Sequence, residues 1–285
     1  MSTSLRGRAR QLLPYLFLPA TYSRQLIQPA VRILMYHRVA RLPAYDQLTV
    51  TPERFDEQLE ELATNFRVVS LADAFAELER GKPRETLVVV TFDDGYLDNL
   101  TNALPILRRH AIPATIFVTA RFADGNTRHP RYVNESGRLH LDWSEIGELA
   151  KEPGITIGSH TLTHPFLSRL DASAARDEIA GSREEIGRHS GKDVEFFCYP
   201  SGDFTAREEQ LVANAGYRAA VSVHPGANRN TNHRFALRRT EVTDRDSARE
   251  LRLKLQGAYD PLHLLLHWRR ERGFERARGD QSTYP

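Results

Sequence analysis

Short apolar runs and amphipathic stretches alternate along most of the chain. The apolar runs are rich in β-branched residues, which is typical of strands buried on both faces, and the amphipathic stretches carry leucines at helical spacing. The predicted strands cover residues 31–37, 67–70, 87–90, 113–119, 155–160, 194–199, 218–223 and 235–242. The predicted helices cover residues 51–62, 71–80, 99–110, 142–150, 171–190 and 206–215, and a last one begins near 247. This alternation favours parallel β/α units.

Local signals support several of these boundaries. Thr51 followed by Pro52 is typical of a helix start, and Gly81 ends the next predicted helix. The polar segment 121–140 is predicted to be a loop near the rim of the fold. No internal repeat or low-complexity linker divides the core, so one barrel-like α/β domain is expected from these 285 residues.

Two adjacent carboxylates follow the strand that begins at Leu87. Asp93 and Asp94 come at its end, and Gly95 then breaks the chain. Neighbouring side chains on an extended segment point to opposite sides, so the two acids are expected to have different surroundings: one could bind a metal while the other takes a proton. The alternative is ordinary turn chemistry, for which Asp-Asp-Gly is equally suited.

A pair of histidines, His160 and His164, follows a later predicted strand. They share one face if the chain turns helical there, and neutral imidazoles at this spacing are common ligands of transition metals. The spacing alone is a weak signal, because most such pairs lie on protein surfaces. Together with Asp94 they supply one oxygen and two nitrogens with open positions for water, which favours a catalytic site.

Composition narrows the choice of function. Lys and Arg together number 39 and Asp and Glu 37, so the near-balance gives no reason to expect a nucleic-acid ligand. The single cysteine, Cys198, excludes an internal disulfide and a cysteine-based zinc cluster, and we expect it to be a small core residue.

The N-terminal residues 1–30 are interpreted as an extension. Three arginines precede an apolar segment, residues 11–20, that is short and interrupted by prolines, and no small-residue cleavage site follows it. We therefore expect a retained extension that contacts a membrane surface peripherally, and a location in the cytoplasm or at the cytoplasmic membrane.

The two key motifs resemble those of a known enzyme family. Residues 91–95 (TFDDG) and 159–164 (SHTLTH) look like the motifs of the polysaccharide deacetylases, also called the NodB-homology or carbohydrate esterase four family. The likeness continues through residues 36–39, 113–118, 199–203 and 237–239. The family implies a distorted (β/α) barrel with seven or so parallel strands, a divalent metal, and hydrolysis of N-acetyl groups on amino sugars.

The resemblance also implies roles for individual residues. By the family pattern Asp93 is the general base, and Asp94, His160 and His164 hold the metal. Zinc is the first choice for this ligand set, and cobalt or nickel would also fit. The partner is then an N-acetylated glycan.

The chain departs from the family in the loop at residues 198–202. Many members have an arginine where this chain has Cys198 and a tyrosine where it has Ser201. Arg239 is the candidate replacement for the missing guanidinium, although an outward-facing strand arginine is an equally natural interpretation. Ser201 is the candidate backbone donor to the oxyanion, with Tyr199 beside it.

His37 is assigned by resemblance as the general acid. Relatives with an extra N-terminal strand look circularly rearranged, which would bring a histidine from Leu34-Met-Tyr-His37 to the place usually filled by a late one. The late match, ending in His267, is interpreted as coincidental, and a packed strand-end role for His37 stays open. Trp143 is a candidate for stacking on a sugar ring, against the alternative of a core anchor.

The chain is thus divided into an extension (1–30), a deacetylase domain (31–245) and a basic helical tail (246–285). Two other functions stay open: a metal-dependent hydrolase of a small linear or cyclic amide, and a glycan-binding protein with a degenerate site.

Overall fold

The structure, a computed structural model, describes residues 29–125, 127–132 and 134–265. Its strands are β1 (Val31–Tyr36), β2 (Arg38–Val39), β3 (Thr49–Val50), β4 (Arg67–Val68), β5 (Leu87–Phe92), β6 (Ala114–Val118), β7 (Ile155–Ser159), β8 (Phe196–Cys198), β9 (Ala219–Val221) and β10 (Arg239–Glu241). Its α-helices are α1 (Pro52–Asn65), α2 (Leu71–Glu79), α3 (Leu104–His110), α4 (Ala120–Ala123), α5 (Trp143–Leu149), α6 (Ala172–Ser190), α7 (Ala206–Asn214) and α8 (Ala248–Leu255). Short 3₁₀ turns cover Pro130–Tyr132, Leu167–Arg169 and Pro200–Gly202, and a π-helical turn, Asn99–Ala103, leads into α3.

Seven parallel strands form a nearly closed barrel in the order β10-β1-β5-β6-β7-β8-β9. Strand β1 lies between β5 and β10, because Ile33 pairs with Val89 on one side and with Arg239 on the other. A single parallel bridge between Val221 and Leu237 crosses the gap between the outer strands β9 and β10. The predicted α/β barrel with about seven parallel strands is confirmed.

Alternate residues of the strands enter two different cores. In β5, Val88 and Val90 pack in one cluster with residues of α1 and α3, whereas Val89 joins residues of the other strands inside the barrel. Phe75 of α2 also packs in the interior cluster, with its ring centroid 6.4 Å from that of Phe196. Burying a side chain of this size contributes about 1.5–3 kcal/mol, so both faces of the strand stabilise the fold.

The predicted helix starts are confirmed where their capping residues were recognised. The Thr51 hydroxyl accepts the Arg54 N–H, and Pro52 occupies the first turn of α1. The predicted helix over residues 99–110 differs at its start, where the chain makes the π-helical turn before α3.

The beginning of the predicted C-terminal tail packs onto the barrel. Leu251 and Leu255 of α8 are fully buried in the main core, and buried Arg32 of β1 makes two hydrogen bonds of 2.8 and 2.9 Å to Asp260. Residues 1–28 of the predicted extension and residues 266–285 of the tail, which include His267, lie outside the described residues. Among the residues that are described, no helix combines the length and the apolar character that crossing a membrane requires.

Gly158 of β7 provides a test of barrel packing. A Cβ at this position would lie 2.4 Å from the Phe117 ring, so we expect Gly158→Ala to lower the free energy of unfolding by about 1–3 kcal/mol in urea titrations. Gly147→Ala is the matched control, because its Cβ would meet only the His189 carbonyl at 3.5 Å inside helix α5, and it should be neutral or stabilising by about 0.5–1 kcal/mol. Equal free energies of unfolding for the two variants would contradict the close contact between Gly158 and Phe117.

Candidate active site

The carboxyl ends of the parallel strands open into one cleft of about 960 Å³. Strand β5 ends next to Asp93, β1 next to His37 and β7 next to His160, so the barrel brings together residues far apart in the sequence. Of the residues predicted from the sequence, the cleft is lined by His37, Asp93, Asp94, His160, His164, Ser201 and Arg239.

Asp93 is held by a buried arginine. Arg239 of β10 donates from Nη1 to Oδ1 and from Nη2 to Oδ2, both at 2.7 Å, and its Nε donates to the Ser222 carbonyl at 2.8 Å. Burial alone would raise the pKa of Asp93, but the Arg239 charge and hydrogen bonds hold it below its usual value. Asp93 is therefore a carboxylate at neutral pH.

The arginine fills the space left by the small side chain at position 198. Arg239 is 1% exposed, so it does not face outward, and its Nη2 lies 3.1 Å from the Cys198 Sγ. A second guanidinium on β8 would place two buried positive charges beside one carboxylate. The cysteine on β8 and the arginine on β10 are thus in contact, and the guanidinium that reaches Asp93 comes from β10.

Asp94 faces the two predicted histidines. Its Oδ1 lies 3.4 Å from the Nε2 of His160 and 3.3 Å from the Nε2 of His164, and the three ligand atoms lie within 4.8 Å of one another. This Oδ1 is buried and has no hydrogen-bond partner among the described residues. Burial would raise the pKa of Asp94, but the two imidazoles hold it well below its usual value.

The ring of His160 is oriented for ligation. Its Nδ1 lies 2.7 Å from the carbonyl oxygen of Cys198, which can only accept, so Nδ1 donates to that carbonyl and Nε2 is the ring nitrogen that faces Asp94. Asp93, His160 and Cys198 form a second cluster of ligand type. It is a poorer metal site, because Arg239 occupies both Asp93 oxygens and burial raises the pKa of the Cys198 thiol.

The two histidines converge without a helix. The helical turn on which a shared face would have depended is not formed here, because Thr161 and His164 adopt left-handed backbone conformations with φ of 69° and 63°. The turn between them is held by Glu178 of α6, whose carboxylate accepts the N–H groups of Leu162 and Thr163 at 2.9 Å. A long-range contact therefore replaces the helical spacing assumed from the sequence.

The two acids also do not lie on one extended segment. Asp94 has a φ of 69°, so the strand has already turned there, although the carboxylates still reach different partners. Gly95 follows with a φ of 60°, and a Cβ on it would lie 2.9 Å from Val118 of the neighbouring strand. Close approach and a left-handed backbone both require glycine at this position.

His37 lines the cleft beside Asp93. Its Nε2 is 3.9 Å from the Asp93 Oδ2, and its side chain is 14% exposed to the cleft. The Asn99 side chain donates to the His37 carbonyl at 2.8 Å, which fixes the backbone at the end of β1.

Two of the predicted substrate contacts are not brought into the cleft. Tyr199 is fully buried and stacks on Phe204 with ring centroids 4.3 Å apart. Trp143 stacks on His189 at 4.0 Å and donates from Nε1 to Asp124, and it does not line the cleft. Neither the Tyr199 side chain nor the Trp143 ring therefore lines the cleft in this structure. The aromatic rings exposed along the cleft belong instead to Tyr45 and Phe166, at 51% and 40% exposure.

Two histidines of the predicted rim loop were missed. The Nε2 of His129 lies 4.0 Å from the Asp94 Oδ2, and the Nδ1 of His140 lies 3.0 Å from the Asp94 carbonyl oxygen. Neither residue follows a strand or has metal-ligand spacing, so the sequence offered only their presence in a polar segment.

The buried ion pair between Asp93 and Arg239 should contribute measurably to the free energy of unfolding. Removing one partner leaves a buried charge alone, so Arg239→Gln and Asp93→Asn should each lower the free energy of unfolding by about 3–5 kcal/mol. The stability loss of the double variant should be about 1–3 kcal/mol smaller than the sum of the two single losses. Urea titrations in the presence of a chelator measure all three, and additive losses would contradict the pair.

Comparison with known proteins identifies the family. Residues 80–220 match the sequence model of the family described as polysaccharide deacetylase. The Bacillus subtilis (strain 168) protein named "Putative polysaccharide deacetylase YxkH" is 28% identical over 213 residues, which cover 74% of this chain and 71% of that protein. The peptidoglycan-N-acetylglucosamine deacetylase of Bacillus cereus is 28% identical over 143 residues, covering 50% of this chain and 45% of its own length.

A solved structure shows the same fold. The Streptococcus pyogenes deacetylase PplD, in complex with acetate, superposes with a TM-score of 0.71 at 24% identity and covers 80% of this chain and 99% of its own. The sequence of residues 80–220 matches the family model, and the barrel has the fold of a solved deacetylase. The chain belongs to the polysaccharide deacetylase family.

Proposed function

We propose that the protein is a metal-dependent hydrolase that removes N-acetyl groups from the amino sugars of a glycan. The observation that carries the proposal is the cleft itself, where an ionised Asp93 lies beside a separate cluster of one carboxylate and two imidazoles. A proton acceptor and a cation site are the two components that amide hydrolysis at neutral pH requires.

The residues around Asp94 fit a divalent cation. Asp94 Oδ1 is a buried acceptor that no described residue satisfies, and the Nδ1 contact of His160 turns its Nε2 toward the same oxygen, where a cation would replace any Nε2 proton. Two nitrogens and one oxygen with an open side favour zinc, with cobalt and nickel as the alternatives. Such a cation would polarise the acetyl carbonyl and lower the pKa of a water molecule.

Asp93 is placed to act as the general base. Arg239 occupies one lone pair on each of its oxygens, and a carboxylate oxygen has a second lone pair free to accept a proton. The arginine keeps the group ionised and fixes its orientation. In the proposed reaction the water oxygen adds to the acetyl carbon while Asp93 takes the water proton.

His37 and Ser201 complete the proposed reaction. His37 lines the cleft within 3.9 Å of Asp93 and would donate a proton to the amine as the carbon–nitrogen bond breaks and acetate leaves. Ser201 lines the same cleft in a left-handed conformation with a φ of 55°, and its N–H is the candidate donor to the oxyanion.

The exposed aromatic rings of the cleft favour a sugar polymer over a small amide. Exposed rings of Tyr45 and Phe166 lie along it, and flat aromatic surfaces suit the apolar faces of sugars. Relatives named as deacetylases of peptidoglycan and of chitooligosaccharides make N-acetylglucosamine polymers the first substrates to try.

Asp93→Asn tests the base directly. We expect the variant to release acetate from N-acetylglucosamine oligomers or peptidoglycan at least about 100-fold more slowly than the wild type, because the amide cannot accept the proton. A chelator should abolish wild-type release, and added zinc should restore it. Undiminished release by Asp93→Asn would overturn the mechanism, and glycan binding without any release would favour a binding protein.

His37→Ala separates the acid from the metal site. Turnover should fall by about 100-fold or more, while zinc content measured by mass spectrometry stays that of the wild type, since His37 lies outside the Asp94 cluster. His110→Ala, which removes a histidine paired with Asp56 away from the cleft, should keep full turnover. Full turnover of His37→Ala would remove it from the mechanism.

A further inference from the structure

The loop between α4 and α5 places two histidines, His129 and His140, beside Asp94, and the proposed reaction uses neither. The loop is attached to the turn after β5, because Leu141 N–H donates to the Gly95 carbonyl and Leu97 N–H to the Leu139 carbonyl, both at 2.9 Å. A loop fixed in this way can hold side chains against Asp94 with little freedom.

His140 connects the two segments through both ring nitrogens. Its Nε2 accepts the backbone N–H of His129 at 3.1 Å, so its Nδ1 carries the proton and donates to the Asp94 carbonyl at 3.0 Å. The ring is buried and packs against Tyr96 and Phe122, with centroids 4.8 and 4.3 Å away.

The tautomer of His129 follows from a second backbone contact. The Arg131 N–H donates to the His129 Nδ1 at 3.2 Å, so the proton of the neutral ring lies on Nε2. A protonated Nε2 cannot ligate a cation but can donate a hydrogen bond, and the nearest carboxylate oxygen is Asp94 Oδ2 at 4.0 Å.

The two oxygens of Asp94 therefore have different surroundings. Oδ1 faces the imidazoles of His160 and His164, whereas Oδ2 faces the N–H of His129. The 4.0 Å separation is about 1 Å longer than a hydrogen bond, a gap that a small rotation of the carboxylate or one bridging water closes.

We propose that His129 is a positioning residue for Asp94: its Nε2–H holds Oδ2 so that Oδ1 is directed to the cation, and His140 fixes the loop that presents it. The inference rests on the proposed metal site. Hydrogen bonds to ligating carboxylates orient them, and losing such a partner typically costs about 10–100-fold in metal affinity.

The experiment measures the zinc dissociation constant of the purified full chain by competition with a fluorescent chelator. We expect His129→Ala to bind zinc about 10–100-fold more weakly than the wild type, with an unchanged melting temperature in the metal-free state. His129→Gln keeps an N–H donor near the Nε2 position and should recover most of the affinity. His189→Ala, which removes a ring stacked on Trp143, is the matched control and should bind as the wild type does.

The outcomes separate this inference from the proposed function. Zinc binding by the wild type with equal affinity in His129→Ala would overturn the positioning role and leave the metal site intact. Equal losses in His129→Ala and His129→Gln would overturn the donor role. Failure of the wild type itself to bind zinc would overturn both proposals.

Discussion

Two adjacent carboxylates buried at the end of one strand are the constraint around which the cleft is built. Like charges this close in a region that excludes water are costly unless each has its own positive partner. Asp93 has a bidentate guanidinium from β10, and Asp94 has two imidazoles and an oxygen left without a hydrogen bond. The division of partners gives the two acids different chemistry: one is held as a proton acceptor and the other is prepared for a cation.

The barrel supplies those partners from distant parts of the chain. Arg239 reaches Asp93 because β10 pairs with β1, which itself pairs with β5. The same arrangement places His37 at the end of β1, outside the residues 80–220 that match the family. A strand before the matched region and a strand after it therefore both contribute to the cleft, and the cysteine at position 198 leaves room for the guanidinium between them.

Much of this site could be predicted because its residues follow parallel strands. Asp94 and His160 each come directly after an apolar run, so their convergence needed only the inference of a parallel sheet. The conformation of the turn to His164 could not be read in the same way, since Glu178 of a later helix holds it. His129 lies in an irregular segment whose path depends on contacts with the turn after β5. Trp143 was misplaced because an aromatic residue at a helix start does not reveal which surface its ring covers.

In the proposed site, Asp94, His160 and His164 share one cation while Asp93 stays free of it. Anomalous scattering at the zinc absorption edge, from crystals of the full chain grown with zinc, tests this most directly. We expect a single strong peak in the cleft among these three side chains, with Asp93 still paired to Arg239. A peak among Asp93, His160 and Cys198, or no peak in the cleft, would contradict it.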